Sequence, residues 1–216
     1  MNNVKLSGVL VGLEYSHETH REKFYVGTIS TKRNSGVEDM IPITVSERLM
    51  DKMVEKDSRI SVIGEMRSYN KIVNNKSRCI LSVFVKDVVE TNEYDEDVIE
   101  VEGFLCKNLG IRLTPQNRKI ADIIIAVNRI TGRSDYLPCI VWNDRADYVS
   151  TFNIGEKVSF LGRIQSREYD KMTDNGVKKR VAYEVSISEI CKVTDQVIDE
   201  DDDFEGLFDD LDDVDE

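Results

Sequence analysis

The sequence predicts an all-β chain with short helices, built as two tandem small barrels. Two observations predict it. The order strand, strand, strand, short helix, strand, strand runs through residues 1–92 and again through 98–194. Local landmarks repeat with it: Met40-Ile41-Pro42 matches Tyr136-Leu137-Pro138, and Ile63-Gly64 matches Leu161-Gly162. A period of about 100 residues is too long for a solenoid unit, so it reads as a duplicated domain.

In the first half, Val4–Leu13 alternates as a strand, His17–Lys23 reads as a polar loop, and Phe24–Lys32 is the second strand. Asn34-Ser35-Gly36 marks a turn before the short third strand Met40–Val45. Ser46 is placed to cap a helix over Glu47–Glu55, with Leu49, Met50 and Met53 on its apolar side. Arg59–Met66 and Ser77–Val89 close the set around a hairpin turn at Asn74-Asn75. In the second half the strands are Val98–Cys106, Lys119–Asn128, Tyr136–Trp142, Lys157–Tyr169 and Lys179–Ile190. A helix over Asp144–Thr151 is capped by Asn143 or Asp144, and Asp174-Asn175-Gly176 is a hairpin turn. Five strands with a short helix between the third and fourth is the layout of an OB-fold, whose outer face and loops bind oligonucleotides. The expected division is a divergent first OB-fold (1–92), an acidic connector (93–97), a second OB-fold (98–194) and a disordered acidic tail (195–216).

The net charge of −12 argues against a polyanionic partner until it is located. From Asp195 to Glu216 there are 13 acidic residues and no basic one. Residues 1–90 carry a net +2 and residues 101–194 a net +4. A polyanion can therefore meet either barrel but not the tail. No apolar run reaches the roughly 20 residues of a membrane helix, and the N-terminus lacks a signal-peptide pattern, so the expectation is a cytoplasmic protein without a membrane partner. Cys79, Cys106, Cys139 and Cys191 are scattered beside apolar runs and read as buried free thiols.

Alternation puts Tyr136, Pro138, Ile140 and Trp142 on one strand face, and Leu137, Cys139 and Val141 on the core face. Taken alone, the single Trp of the chain reads as a core filler. The next strand places Val158, Phe160, Gly162 and Ile164 inward and Arg163, Gln165, Arg167 and Tyr169 outward. Aromatics mixed with arginines suit single-stranded nucleic acid, because rings stack on unpaired bases and cations follow phosphates. The alternative for such a face is a solvated basic surface. Arg112, Arg118 and Lys119 surround the first long loop and Arg129 and Arg133 the next, where an OB-fold clamps its ligand. Arg180, with Lys178 and Lys179, sits at a hairpin tip or outer face, and Tyr183 alternates with core valines. The first half offers Tyr69, Tyr15 and Arg67, but no paired aromatics. Ser46 stands there where Trp142 does, and Met40 where Tyr136 does.

No catalytic set assembles. His17-Glu18-Thr19-His20 lacks helical metal-ligand spacing, and no serine elbow, phosphate loop or paired-carboxylate motif appears, so no cofactor, metal or enzymatic activity is expected. In the tail, Phe204, Leu207, Phe208, Leu211 and Val214 recur at helical spacing among aspartates. A merely solubilising tail does not need two phenylalanines. On a partner with a basic-rimmed apolar groove it could fold as an amphipathic helix.

Over about 103–187 the second half resembles the bacterial single-stranded DNA-binding protein family, whose members bind and stack bases on an OB-fold. Glu102-Gly103-Phe104-Leu105 resembles the first-strand Gly-Asn-Leu, with Phe104 in place of Asn, and Arg112 falls on the arginine that follows. Ile125-Ala126-Val127-Asn128-Arg129, Trp142, Gly155, Gly162-Arg163-Ile164-Gln165-Ser166-Arg167-Glu168-Tyr169 and Tyr183-Glu184-Val185 follow the family order. The resemblance implies stacking on Tyr136, Trp142 and Tyr169, non-specific binding of single-stranded DNA in replication, recombination and repair, and a nucleoid-associated cytoplasmic location. It implies recruitment of replication and repair proteins through the acidic tail, and a homodimer, since family assemblies usually present four OB-folds. Another reading is an assembly or loading adaptor of the primosome type, whose OB-folds bind mainly proteins.

Overall fold

The computed structural model describes residues 1–73, 76–91, 93–173 and 176–193. Strands β1 (Asn2–Thr19), β2 (Glu22–Lys32) and β3 (Glu38–Ser46) lead into a 3-10 helix, Glu47–Lys52. Strands β4 (Arg59–Val73) and β5 (Lys76–Val89) follow. The second set is β6 (Glu96–Leu113), β7 (Lys119–Asn128), β8 (Ser134–Trp142), helix α1 (Asp144–Ser150), β9 (Lys157–Thr173) and β10 (Gly176–Lys192).

Each set closes on itself, in the orders β1-β2-β3-β5-β4-β1 and β6-β7-β8-β10-β9-β6. Among the described residues, β3–β5 and β8–β10 are the parallel pairs. Apolar residues at alternate positions fill each barrel: Ile41, Ile43 and Val45 on β3, and Leu137, Cys139 and Val141 on β8, are buried. Burying one such aliphatic side chain stabilises by about 1.5–3 kcal/mol. The fold is the expected pair of five-stranded barrels.

The two barrels are joined by their first strands. β1 and β6 pair antiparallel from Asn2↔Val101 to Ser7↔Glu96. Val4 lies opposite Ile99, its counterpart in the repeat, so a pseudo-twofold axis passes between them. Around that axis the contacts come in matched pairs. Asn2 Oδ1 accepts from the Met66 amide at 3.0 Å, and Asp97 Oδ1 accepts from the Ile164 amide at 3.0 Å.

The β2–β3 and β7–β8 turns repeat the pattern. In each, an arginine amide and carbonyl close the turn, Arg33 with Val37 and Gly36, Arg129 with Arg133 and Gly132. Gly36 and Gly132 sit at φ 81° and 79°, the left-handed region that favours glycine. Each arginine then grips the aspartate six positions on, Arg33 with Asp39 at 2.5 Å and Arg129 with Asp135 at 2.7 Å. Both aspartates are only 1% exposed. Each reaches across to the other barrel: Asp39 accepts from the Ser166 amide at 2.7 Å, and Asp135 from the Ser68 amide at 2.5 Å. A buried carboxylate is tolerable because an arginine and a backbone N–H share its charge.

Several local expectations change. Within His17–Lys23, β1 continues to Thr19 and turns through His20 and Arg21, both at positive φ. β4, β6 and β9 run several residues past their expected ends, and Arg112 belongs to β6 rather than to the loop. In the β6 extension Leu109, Ile111 and Leu113 are exposed, so neither face shows buried alternation. The first helix is a shorter 3-10 turn, capped as expected by Ser46 Oγ, while Asn143 precedes α1 without a side-chain cap bond. Of the four free thiols only Cys139 is buried. Cys106 and Cys191 are exposed on outward strand positions, whereas Cys79 shares the parity of the buried Leu81 and Val83 but is exposed nearer the β4–β5 turn. The Asn74-Asn75 and Asp174-Asn175 turn residues, and the tail with Phe204, Leu207, Phe208 and Leu211, lie outside the described residues.

Candidate nucleic-acid interface

Strand register assembles one outer surface on the second barrel. Residues paired across neighbouring strands project to the same side. Trp142 on β8 faces Ile120 on β7, which faces Arg112 on β6. On the other flank, Arg163, Gln165, Arg167 and Tyr169 of β9 face Ser186, Glu184, Ala182 and Arg180 of β10. The β8–β10 pairing of Ile140 with Ser186 joins the two flanks. Ile140 points outward as its position requires, yet is buried beneath this surface.

Here lies an open groove of about 600 Å³, lined by Arg112, Pro115, Gln116, Trp142, Arg163, Arg167 and Arg33, among others. Trp142 is half-buried, and its indole N–H donates to Ser186 Oγ at 3.2 Å. That bond fixes the ring as part of the groove wall.

The cations differ in how far they are committed. Arg112 is held by both oxygens of Asp122. Arg167 lies 3.8 Å from Glu184, which also accepts from Gln165 at 2.8 Å. The Arg167 guanidinium sits 5.9 Å from the Tyr169 ring centre. Arg163 bonds Gln165 at 3.3 Å. Burial, then the adjacent Arg33 charge, pulls its pKa below that of an ordinary arginine. The nearby Asp39 and Asp97 carboxylates oppose that shift without cancelling it, and an anion in the groove would oppose it further.

The other candidates fall elsewhere. Tyr169 and Arg180 are opposite one another on the β9–β10 hairpin, with Lys179 exposed beside them. Tyr136 is 48% exposed at the barrel junction, where its amide donates to Ser68 Oγ at 2.7 Å. Arg129 is held by Asp135 and the Ser68 carbonyl much as Arg33 is held by Asp39, but it lines the first-barrel grooves rather than the Trp142 groove. Tyr183 packs against the core as its alternation indicates. Tyr69 and Arg67 line a separate groove on the first barrel.

Two features escaped the sequence. Arg33 enters the second barrel's groove from the first barrel. Its signal was the repeated spacing of Arg33 to Asp39 and Arg129 to Asp135 around a glycine turn. The second concerns the first half, which does bring aromatics together, through Phe24 and Phe84 with centroids 6.2 Å apart. They come from β2 and β5, strands that are not adjacent in sequence, so no linear motif joins them.

Residues 97–193 match the model of the Single-strand binding protein family. The chain is 30% identical over 79 residues to Single-stranded DNA-binding protein 3 of Streptococcus agalactiae, covering 33% of this chain and 57% of that protein. It is 32% identical over 90 residues to Single-stranded DNA-binding protein 2 of Listeria monocytogenes, covering 38% and 54%. The chain thus spans about half the length of the curated relatives it matches. Among solved structures, it superposes on the wild-type single-stranded DNA binding protein from Thermus aquaticus with TM-score 0.72 and 17% identity, over 90% of this chain and 93% of that one. At that identity the likeness concerns the fold alone.

Proposed function

We propose that the chain, whose residues 97–193 match the Single-strand binding protein family model, is a member of that family and binds single-stranded DNA without sequence preference. The observation that carries this reading is the groove of the second barrel. Trp142 forms its wall, and Arg163 and Arg33 converge in it from two different barrels. The indole supplies a flat face for an unpaired base, worth about 1–3 kcal/mol per stack. The arginines take phosphates and release counterions, so affinity falls with salt. Tyr169 and Arg180 extend the track along the β9–β10 hairpin, and Tyr136 extends the aromatic set toward the junction.

No step of this mechanism is catalytic. The protein holds exposed strands during replication, recombination and repair. Its acidic tail recruits partner proteins through Phe204, Leu207, Phe208 and Leu211, and two chains associate to present four barrels. The test is a titration with oligo-dT. Trp142 fluorescence should be quenched, and Trp142→Ala should weaken binding by more than about tenfold. Full affinity in that variant would refute the stacking role. Removal of residues 195–216 should preserve or raise DNA affinity while abolishing partner recruitment. A truncated protein unable to bind DNA would contradict this.

A further inference from the structure

The first barrel carries a groove of its own, of about 580 Å³. Phe24 and Phe84 stand in it, both half-buried. The ring of His17 stacks on Phe24, with centroids 5.3 Å apart and planes 19° from parallel. The Arg67 guanidinium lies 3.7 Å from the centre of the Phe84 ring. Its Nη2 bonds Glu65 at 3.1 Å, while its buried Nε has no hydrogen-bond partner among the described residues. Tyr69, 52% exposed, and Arg133 from the second barrel complete the wall.

Register relates this groove to the Trp142 groove. Phe24 faces Ser46 as Ile120 faces Trp142, and Thr44 pairs with Phe84 as Ile140 pairs with Ser186. The aromatic positions therefore differ: where the second barrel has Trp142 and Ser186, the first has Ser46 and Phe84, with Phe24 one strand away. A core aromatic pair would be covered by aliphatic side chains. This one is covered by a histidine and an arginine at stacking distance, on an open surface. Glu65, also bonded to Lys86, offsets much of the local positive charge. The groove thus favours flat rings over phosphates alone.

We propose that this groove is a second binding site for single-stranded nucleic acid, taking one or two unpaired bases against Phe24, Phe84 and Tyr69, with Arg67 and Arg133 at the backbone. The proposal rests on the reading of the Trp142 groove as a nucleic-acid site and extends it to different positions on the other barrel. One strand then engages both barrels of a chain, each through a different aromatic set.

The test uses the full chain with Phe24→Leu and Phe84→Leu together, titrated with oligo-dT of about 10 and about 35 nucleotides. Affinity for the long oligomer should drop roughly five- to a hundredfold, the loss of one stack or more. Trp142 quenching by the short oligomer should not change. A second measurement on the unaltered protein uses the long oligomer with bromodeoxyuridine in place of thymidine and maps the ultraviolet crosslinks. Crosslinks in peptides 24–32 and 79–86 support the site, even if the double variant fails to fold. Unchanged long-oligomer affinity, or crosslinks confined to the second barrel, overturns it while Trp142 quenching leaves the first reading intact. Absent Trp142 quenching with crosslinks at Phe24 and Phe84 removes the first reading and keeps this one.

Discussion

Where the second barrel has Trp142, the first has Ser46, whose hydroxyl caps the following 3-10 turn and donates to Glu22. Where the second barrel has Asp97, the first has Asn2, which bonds both the amide and the carbonyl of Met66. The turns behave otherwise. Arg33–Asp39 and Arg129–Asp135 have the same spacing, the same glycine geometry and the same reach to a serine of the other barrel. The joint between the barrels is therefore nearly symmetric, and the surfaces it holds are not. Geometry that both halves must share to pack together is retained in both. Outward side chains that do not affect packing are free to differ, and here they specialise.

The largest expected effect breaks the symmetric part. Asp135→Ala removes the partner of a mostly buried Arg129 and leaves the Ser68 amide unsatisfied. The cost should be about 3 kcal/mol of unfolding free energy, measurable by urea denaturation. Asp39→Ala should cost a similar amount through Arg33 and Ser166. A change under about 0.5 kcal/mol in both would mean that the turns do not hold the barrels together.

The second prediction uses the asymmetry of Asn2 and Asp97. Desolvation pushes Asp97 up to about 7, against the Ile164 N–H, which lowers it; nearby Asp39 raises it, while Arg163 and Arg33 lower it. A carboxyl with a raised pKa binds more protons folded than unfolded. Its contribution should therefore fall as pH rises from about 4 to about 7. Asp97→Asn should remove that component and stabilise the protein above pH 7, because Asn2 shows how an amide fits the same place. Asp39 lies the other way: burial raises it, but bonds from Arg33 and Ser166 outweigh this and hold it below the ordinary carboxylate value. Its contribution should be present at neutral pH and lost only in acid. Thermal melts of the native chain and Asp97→Asn across this range check both signs, and parallel curves would refute the Asp97 assignment.

A smaller effect tests the crossing arginine. Arg33→Gln should weaken oligo-dT binding several-fold and reduce the salt slope by about 0.7, the value of one phosphate on a single strand. An unaltered slope would remove Arg33 from the contact set.

The repeat and the strand order were legible because alternation and turn residues are local signals. Leu137, Cys139 and Val141 declared the inward face of β8, and therefore the outward face holding Trp142. The use of Arg129 was not legible, since its partners Asp135 and Ser68 include a residue of the other barrel. Neither was the Phe24–Phe84 pair, because β2 and β5 meet only through β3 once the barrel closes. Cys106 and Cys191 show a further limit. Nearness to an apolar run does not give burial, because on a strand the neighbouring position faces the other way.

If the second barrel grips a single strand through Trp142 while arginines from both barrels neutralise its backbone, Trp142 fluorescence during oligo-dT titration at two salt concentrations should show saturable quenching. Affinity should fall as salt rises, with Trp142→Ala binding more than about tenfold more weakly. Unquenched fluorescence together with salt-independent binding would contradict that grip.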